Sequence, residues 1–200
     1  MITQKQIQQI KEIIRTKLND LLFLHTLEVF KYAKFLAKKE NANQEICEVA
    51  ALLHDCAKSY SSELNHAEMG AEASQFIMTK AGIIDSQFVN QVYYCVLTHS
   101  SPYLVKPPHN LKRLMPQTIE AKVVFDADML ANMTQLGIIK NIFDYKNEEL
   151  ITCINYAFND IKTYAFENLL TASGKEEGAR KFKQVKKTLI EIIGQNLRGV

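Results

Sequence analysis

The run EVAALLHDCAKS, Glu48–Ser59, places an adjacent histidine and aspartate at the end of an otherwise apolar stretch. His54 follows four residues after Ala50 and directly after Leu53, and Asn43 stands as an N-cap before the run, so the spacing predicts a helix over 44–57. A buried imidazole or carboxylate without a partner costs roughly 1–3 kcal/mol in mutational series, and more when charged. A His-Asp pair here therefore needs either satisfied hydrogen bonds or a cation. A lone histidine on an apolar face is ordinarily a satisfied core residue, so the remaining histidines decide the matter.

His25 heads the series Val29, Tyr32 and Leu36; His66 heads Gly70, Ala73 and Ile77; His99 closes the series Val89, Val92 and Val96. Imidazoles thus stand at the ends of inward-facing stripes on four separate helices. A divalent metal would stabilise such a group, because neutral imidazole and carboxylate are good ligands for Fe, Mn, Co, Ni or Zn, and no inward thiolates suggest a structural Cys-type zinc site. The ligands would converge from different helices, as in bundle cores, since the spacing is unlike that of a HExxH helix. In AKVVFDADMLANM, Asp126 and Asp128 interrupt another apolar helix. At about 100° per residue the two differ by roughly 200°, so they cannot address one point. Asp128 shares a face with Ala121, Val124 and Ala131 and is the chosen ligand, with Asp126 as a supporting or structural residue; the reverse assignment stays open.

Outward from these runs the pattern is helical throughout. Segments near 24–40, 66–81, 85–99 and 118–142 read as helices, with Asn65 and Thr118 as further N-caps, and no segment alternates with period two. Ile7, Ile10, Ile14 and Leu18 form one apolar face, and Ile151, Ile154, Phe158, Ile161 and Ala165 another. All four prolines, Pro102, Pro107, Pro108 and Pro116, fall in one interruption from Ser100 to Gln117. Near the end, Arg180, Lys181, Lys183, Lys186 and Lys187 read as the solvated face of a last helix whose other face carries Phe182, Val185, Leu189 and Ile192.

His25, the His54-Asp55 doublet followed by Lys58, and Ala127-Asp128 resemble the H…HD…D motif of the HD-domain superfamily, and ALLHDCAKS is similar to that family's LLHDIGK stretch. Cys56 and Ala57 stand where Ile and Gly are frequent, a difference of packing more than of chemistry. The resemblance implies an all-α fold, a helical bundle with a metal site between helices: a single domain over 1–200 with its core at about 20–140 and terminal helices packed on it. It also implies a divalent transition metal held by His25, His54, Asp55 and Asp128. His66 in LNHAEMGA and His99 in LTHSS are similar to the additional histidines of members that bind two ions, with Asp55 as the bridge; a single ion with these histidines on substrate remains the other reading.

The activity implied is a phosphohydrolase acting on a nucleotide or another small phosphorylated metabolite, and the order H, HD, H, H, D is also similar to that of hydrolases that cleave dinucleoside tetraphosphates. A bound divalent ion lowers the pKa of its water from 15.7 toward ~7 and so supplies a nucleophile at neutral pH. Asp55 and Lys58 are the candidate catalytic residues: Lys58, four after His54, either approaches a phosphate or complements a helix end. The interruption holds no acidic residue, and its Lys106, Lys112 and Arg113 are candidates to grip a phosphate, with Tyr103 or His109 to stack on a base. A minority branch of the family with a two-iron centre oxidises its substrate with dioxygen and gives the alternative reading; a non-catalytic signalling module is a third, disfavoured by the complete ligand set.

Composition narrows the partners. Hydrophobic residues make up 47% and charged residues 23%, outside the range of disordered chains, and a formal charge of +2 is far from that of a dedicated nucleic-acid binder. The expected partner is a small phosphorylated substrate, with no nucleic acid and no membrane. Cys47, Cys56, Cys95 and Cys153 lack CxxC spacing and read as buried free thiols, and no apolar run reaches eighteen residues, so a cytoplasmic location is expected.

Overall fold

Two helices that are apolar on nearly every side run through the middle of the molecule: α3 (Gln44–Leu53), buried from Ile46 to Leu53, and α6 (Ile119–Asn132), buried from Val123 to Ala131. A helix apolar all round must be surrounded. The computed structural model describes residues 1–61, 65–100 and 115–196, with side chains through 191. Within them α2 (Asp20–Glu40) packs along both central helices, α5 (Ser86–Thr98) lies against α3 and α6, and α4 (His66–Lys80) pairs with α5. Amphipathic α1 (Gln4–Arg15) lays Ile7, Ile10 and Ile14 on the core and starts in a Thr3–Gln6 capping box. The fold is all-α, with no strand among the described residues.

Helix boundaries follow local hydrogen-bonding chemistry. Asn43 caps α3 and Thr118 caps α6, as their sequences suggest, whereas Asn65 precedes α4 without a side-chain bond to the helix backbone. The second helix begins at 20 rather than 24, because Asn19 accepts from Leu22 N at 2.9 Å. It ends at Asn41 in the left-handed region, φ 54°.

Two expected helices are shorter than their apolar patterns. The helix expected over 44–57 stops at Leu53: His54 Nδ1 lies 2.8 Å from the Ala51 carbonyl, the acceptor that a continuing α-helix would give to Asp55. The chain then proceeds by tighter turns, Cys56 N to Leu53 O, Lys58 N to Asp55 O and Tyr60 N to Ala57 O. The helix expected over 118–142 is two. Thr134 Oγ1 donates to Ala131 O at 2.8 Å and accepts from Gly137 N at 3.1 Å, ending α6 and capping α7 (Gln135–Phe143). A Cβ at Gly137 would lie 2.3 Å from Ala131 O, so only glycine permits this corner.

Beyond the corner, α8 (Leu150–Asp160) pairs with α7 and widens into a π-helical turn, Ile161–Ala165, before a short 3₁₀ turn and α9 (Ala172–Asn196). Of the apolar face expected here, Ile154, Ile161 and Ala165 are buried and Phe158 is partly so, but Ile151 is exposed. Phe182 stacks on Phe166 at 4.5 Å between centroids, and Val185 and Leu189 are buried beside it. Arg180, Lys183, Lys186 and Lys187 face outward. The four cysteines are buried free thiols, and no helix among the described residues is long and apolar enough to cross a membrane.

Candidate metal centre

Helix ends bring the histidines together. His54 follows the last residue of α3, His99 the last of α5, and His66 is the first residue of α4; His25 lies in the early turns of α2, and Asp128 projects from the middle of α6. Neighbouring rings stand edge to face, with centroids 5.6 Å apart for His25–His54 and 5.1 Å for both His54–His99 and His66–His99. His25, His54, Asp55, His66 and His99 are nearly inaccessible to solvent, and Asp128 borders a cavity.

Hydrogen bonds to the main chain fix which ring nitrogens face the centre. His54 Nδ1 lies 2.8 Å from Ala51 O and His99 Nδ1 2.6 Å from Val96 O. A carbonyl only accepts, so each Nδ1 carries the proton and each Nε2 of the neutral ring offers a lone pair. Those lone pairs meet carboxylate oxygens: His54 Nε2 is 3.4 Å from Asp55 Oδ2, and His99 Nε2 is 3.5 Å from Asp55 Oδ1, with His66 Nε2 at 3.8 Å from the same oxygen. On the other flank His25 Nε2 is 2.9 Å from Asp128 Oδ1, which is 3.9 Å from His54 Nε2.

Two lone-pair donors facing each other in a buried space repel unless a positive charge lies between them. Among the described residues, the buried atoms His25 Nδ1, His54 Nε2 and Asp55 Oδ1 have no hydrogen-bond partner. His25, His54 and Asp55 can each turn one ligand atom to a common point, and so can Asp55, His66 and His99; the two groups share Asp55. The donor set of imidazole and carboxylate suits a borderline divalent ion, and the residues fit that group.

Both carboxylates of the centre are held in their ionised form. Burial pushes the Asp55 carboxyl up, but the Lys58 ammonium, with Nζ 3.4 Å from Oδ2, and the neighbouring His54 hold it well below the usual carboxylate range. Burial also opposes ionisation of Asp128, yet its bond to His25 keeps it below the ordinary value. For His54, desolvation is outweighed by the Asp55 and Asp128 charges and the imidazole is more basic than usual, whereas burial prevails at His25 and lowers it.

Asp126 points elsewhere. Its carboxylate accepts from Leu170 N and Thr171 N, both at 2.8 Å, and from Thr171 Oγ1 at 2.6 Å, tying the start of α9 to α6. Burial raises its pKa to about 6 despite these bonds. Lys58 approaches the centre by a different route: because α3 ends at Leu53 it does not extend the helical face of His54, but it pairs with Asp55 three residues before it and lines the adjoining cavity. Tyr103, Lys106, His109, Lys112 and Arg113 lie outside the described residues.

A cavity of about 490 Å³ opens beside His66, His99 and Asp128, within the size range of small-molecule sites. Lys58 lines it too, together with residues the sequence reading passed over: Asn132 at the end of α6, Lys140 and Asn141 on α7, and Tyr145, Asp160 and Tyr164 around α8 and the π-helical turn. The usable signal was Thr134 three residues before Gly137, a capping pattern that turns α7 back toward the centre. A cavity of similar size beside Ser86, Tyr94 and Glu120 contains none of these histidines.

Comparison with known proteins agrees with the fold. Residues 22–133 match the family model described as HD domain. Bacillus subtilis YpgQ in complex with ADP superposes with a TM-score of 0.69 at 21% identity, covering 98% of this chain and 95% of that one. An HD-superfamily hydrolase of Bacillus thuringiensis gives 0.65 at 21% identity, over 96% and 94%. In sequence, the chain is 30% identical over 135 residues to a tRNA (cytidine(56)-2'-O)-methyltransferase of Picrophilus torridus, covering 66% of this chain and 38% of that protein. It is 26% identical over 183 residues to the enzyme of that name from Thermoplasma volcanium, covering 90% of this chain and 45% of that protein. The chain thus spans less than half the length of these curated relatives.

Proposed function

The chain belongs to the HD-domain family, and from that premise we propose that it is a metal-dependent phosphohydrolase of a nucleotide or another small phosphorylated metabolite. The observation that carries this reading is the pair of ligand groups sharing Asp55, beside a cavity sized for a small molecule. His25, His54, Asp55 and Asp128 would hold one divalent ion, and His66 and His99 with Asp55 a second. Divalent ions there would supply a water acidic enough to attack at neutral pH and would offset charge on the phosphoryl oxygens.

The chain's own residues prepare that chemistry. The Ala51 and Val96 carbonyls hold the His54 and His99 rings in one tautomer, so no reorganisation is needed when a cation is bound. Lys58 keeps Asp55 ionised and in place, which is a positioning role for that ammonium. The buried walls exclude bulk water from one side of the centre and strengthen each electrostatic contact within it. A nucleotide ligand is supported by the complex of the similarly folded YpgQ with ADP. The names of the curated relatives describe methyl transfer to tRNA by proteins more than twice as long as the region they share with this chain, so tRNA belongs in any substrate panel.

The test is phosphate release from mononucleotides, dinucleoside polyphosphates, sugar phosphates and tRNA, in protein loaded separately with Mn, Co, Ni, Mg or Fe. The expected result is metal-dependent release from at least one small substrate, without oxygen. No release from any substrate by fully loaded protein, together with iron-dependent oxygen uptake, would replace this reading with the oxygenase.

A further inference from the structure

Two lysines line the cavity, Lys58, which the sequence suggests, and Lys140, which it does not. Lys58 is engaged by Asp55 at 3.4 Å, and a carboxylate already neutralises its charge. Lys140 lies across the cavity, partly buried, with Nζ 3.2 Å from Asn132 Oδ1, and it makes no ion pair with a carboxylate among the described residues. Its amide partner is itself tied to the centre: Asn132 Nδ2 donates to Asp128 O at 3.0 Å and approaches Asp128 Oδ1 at 3.4 Å. Asn141 Nδ2 donates to Gly137 O and approaches Asn132 Oδ1 at 3.4 Å, which holds the amide oxygen toward the lysine. The Thr134 cap and the close approach at Gly137 set the corner from which this lysine projects.

From this arrangement we propose that Lys140 is a substrate-binding residue whose ammonium takes an oxygen of the phosphoryl group at the metal centre. The inference rests on the phosphohydrolase reading and assigns a substrate contact to α7, which lies beyond the matched residues 22–133. A partly desolvated ammonium held by one neutral oxygen retains two N–H donors and its full charge, and it is better matched to an anion than an ammonium already paired with a carboxylate. Inorganic phosphate, the product common to the proposed substrates, presents the same oxygens.

The experiment is calorimetric titration of manganese-loaded protein with inorganic phosphate, for the native chain, Lys140→Met and Lys140→Arg, with metal content and thermal midpoint measured on each. Loss of one charge-assisted hydrogen bond is expected to weaken phosphate binding about 10- to 100-fold in Lys140→Met. Lys140→Arg is expected to stay within about threefold of the native chain, since its guanidinium keeps the charge and the donors. Metal content is expected to be unchanged in both. Native affinity in Lys140→Met would overturn the assignment of Lys140 and leave the phosphohydrolase reading standing. Failure of the native manganese-loaded protein to bind phosphate at all would overturn both.

Discussion

Asp55→Asn is expected to remain folded and to lose divalent metal from both ligand groups at once, together with any phosphate-releasing activity. The carboxylate is the one residue common to the two groups, with Oδ2 turned to His54 and Lys58 and Oδ1 to His66 and His99. Asparagine keeps the shape and removes the charge. A pair of unit charges 4 Å apart is worth ~4 kcal/mol at an effective dielectric of about 20. Metal affinity should therefore fall on the order of a thousandfold or more, because the ion carries two charges and would sit closer than that. Competition with a chromophoric chelator measures the affinity, and circular dichroism shows that the helices persist. Retention of near-native affinity in Asp55→Asn would mean that the shared carboxylate is not a ligand.

The second large effect separates two aspartates that lie two residues apart. Asp126→Ala is expected to cost roughly 2–4 kcal/mol of stability in urea unfolding, because it leaves the buried Thr171 N–H, the partly buried Leu170 N–H and the Thr171 hydroxyl without their acceptor. Gly174 shows how closely that anchor is packed: a Cβ there would lie 2.1 Å from Asp126 Oδ2. Metal bound per folded molecule should not change. Asp128→Asn should do the reverse, lowering metal affinity on the order of a hundredfold while moving the unfolding midpoint of metal-free protein little. The opposite pattern would exchange the roles of the two residues.

Much of the centre was legible because burial and periodicity act on the same residues. A histidine that closes or opens an apolar stripe must point inward, and four such stripes on helices that pack together have few places to meet. The separation of Asp126 from Asp128 followed from helical angle alone, and the structure turns them to different neighbours, the histidines for one and the start of α9 for the other. Hydrogen bonds that compete with the helix ladder were harder to read. The His54 ring takes the Ala51 carbonyl and ends α3 early, which moves Lys58 onto Asp55. Thr134 and Gly137 break a continuous apolar pattern that looks like one long helix, and the break brings Lys140 to the cavity. An apolar period records which side of a segment is buried, and it is blind to a cap inside the segment.

A cation bound among His54, Asp55 and their neighbours is the feature on which the proposed chemistry turns. Crystals of protein equilibrated with manganese, measured on either side of the manganese absorption edge, locate that ion without reference to any substrate. The expected result is an anomalous peak within bonding distance of His54 Nε2 and an Asp55 oxygen, with a second peak between Asp55, His66 and His99 at full loading. A difference map with no peak within reach of those atoms, in protein shown by elemental analysis to carry manganese, would contradict it.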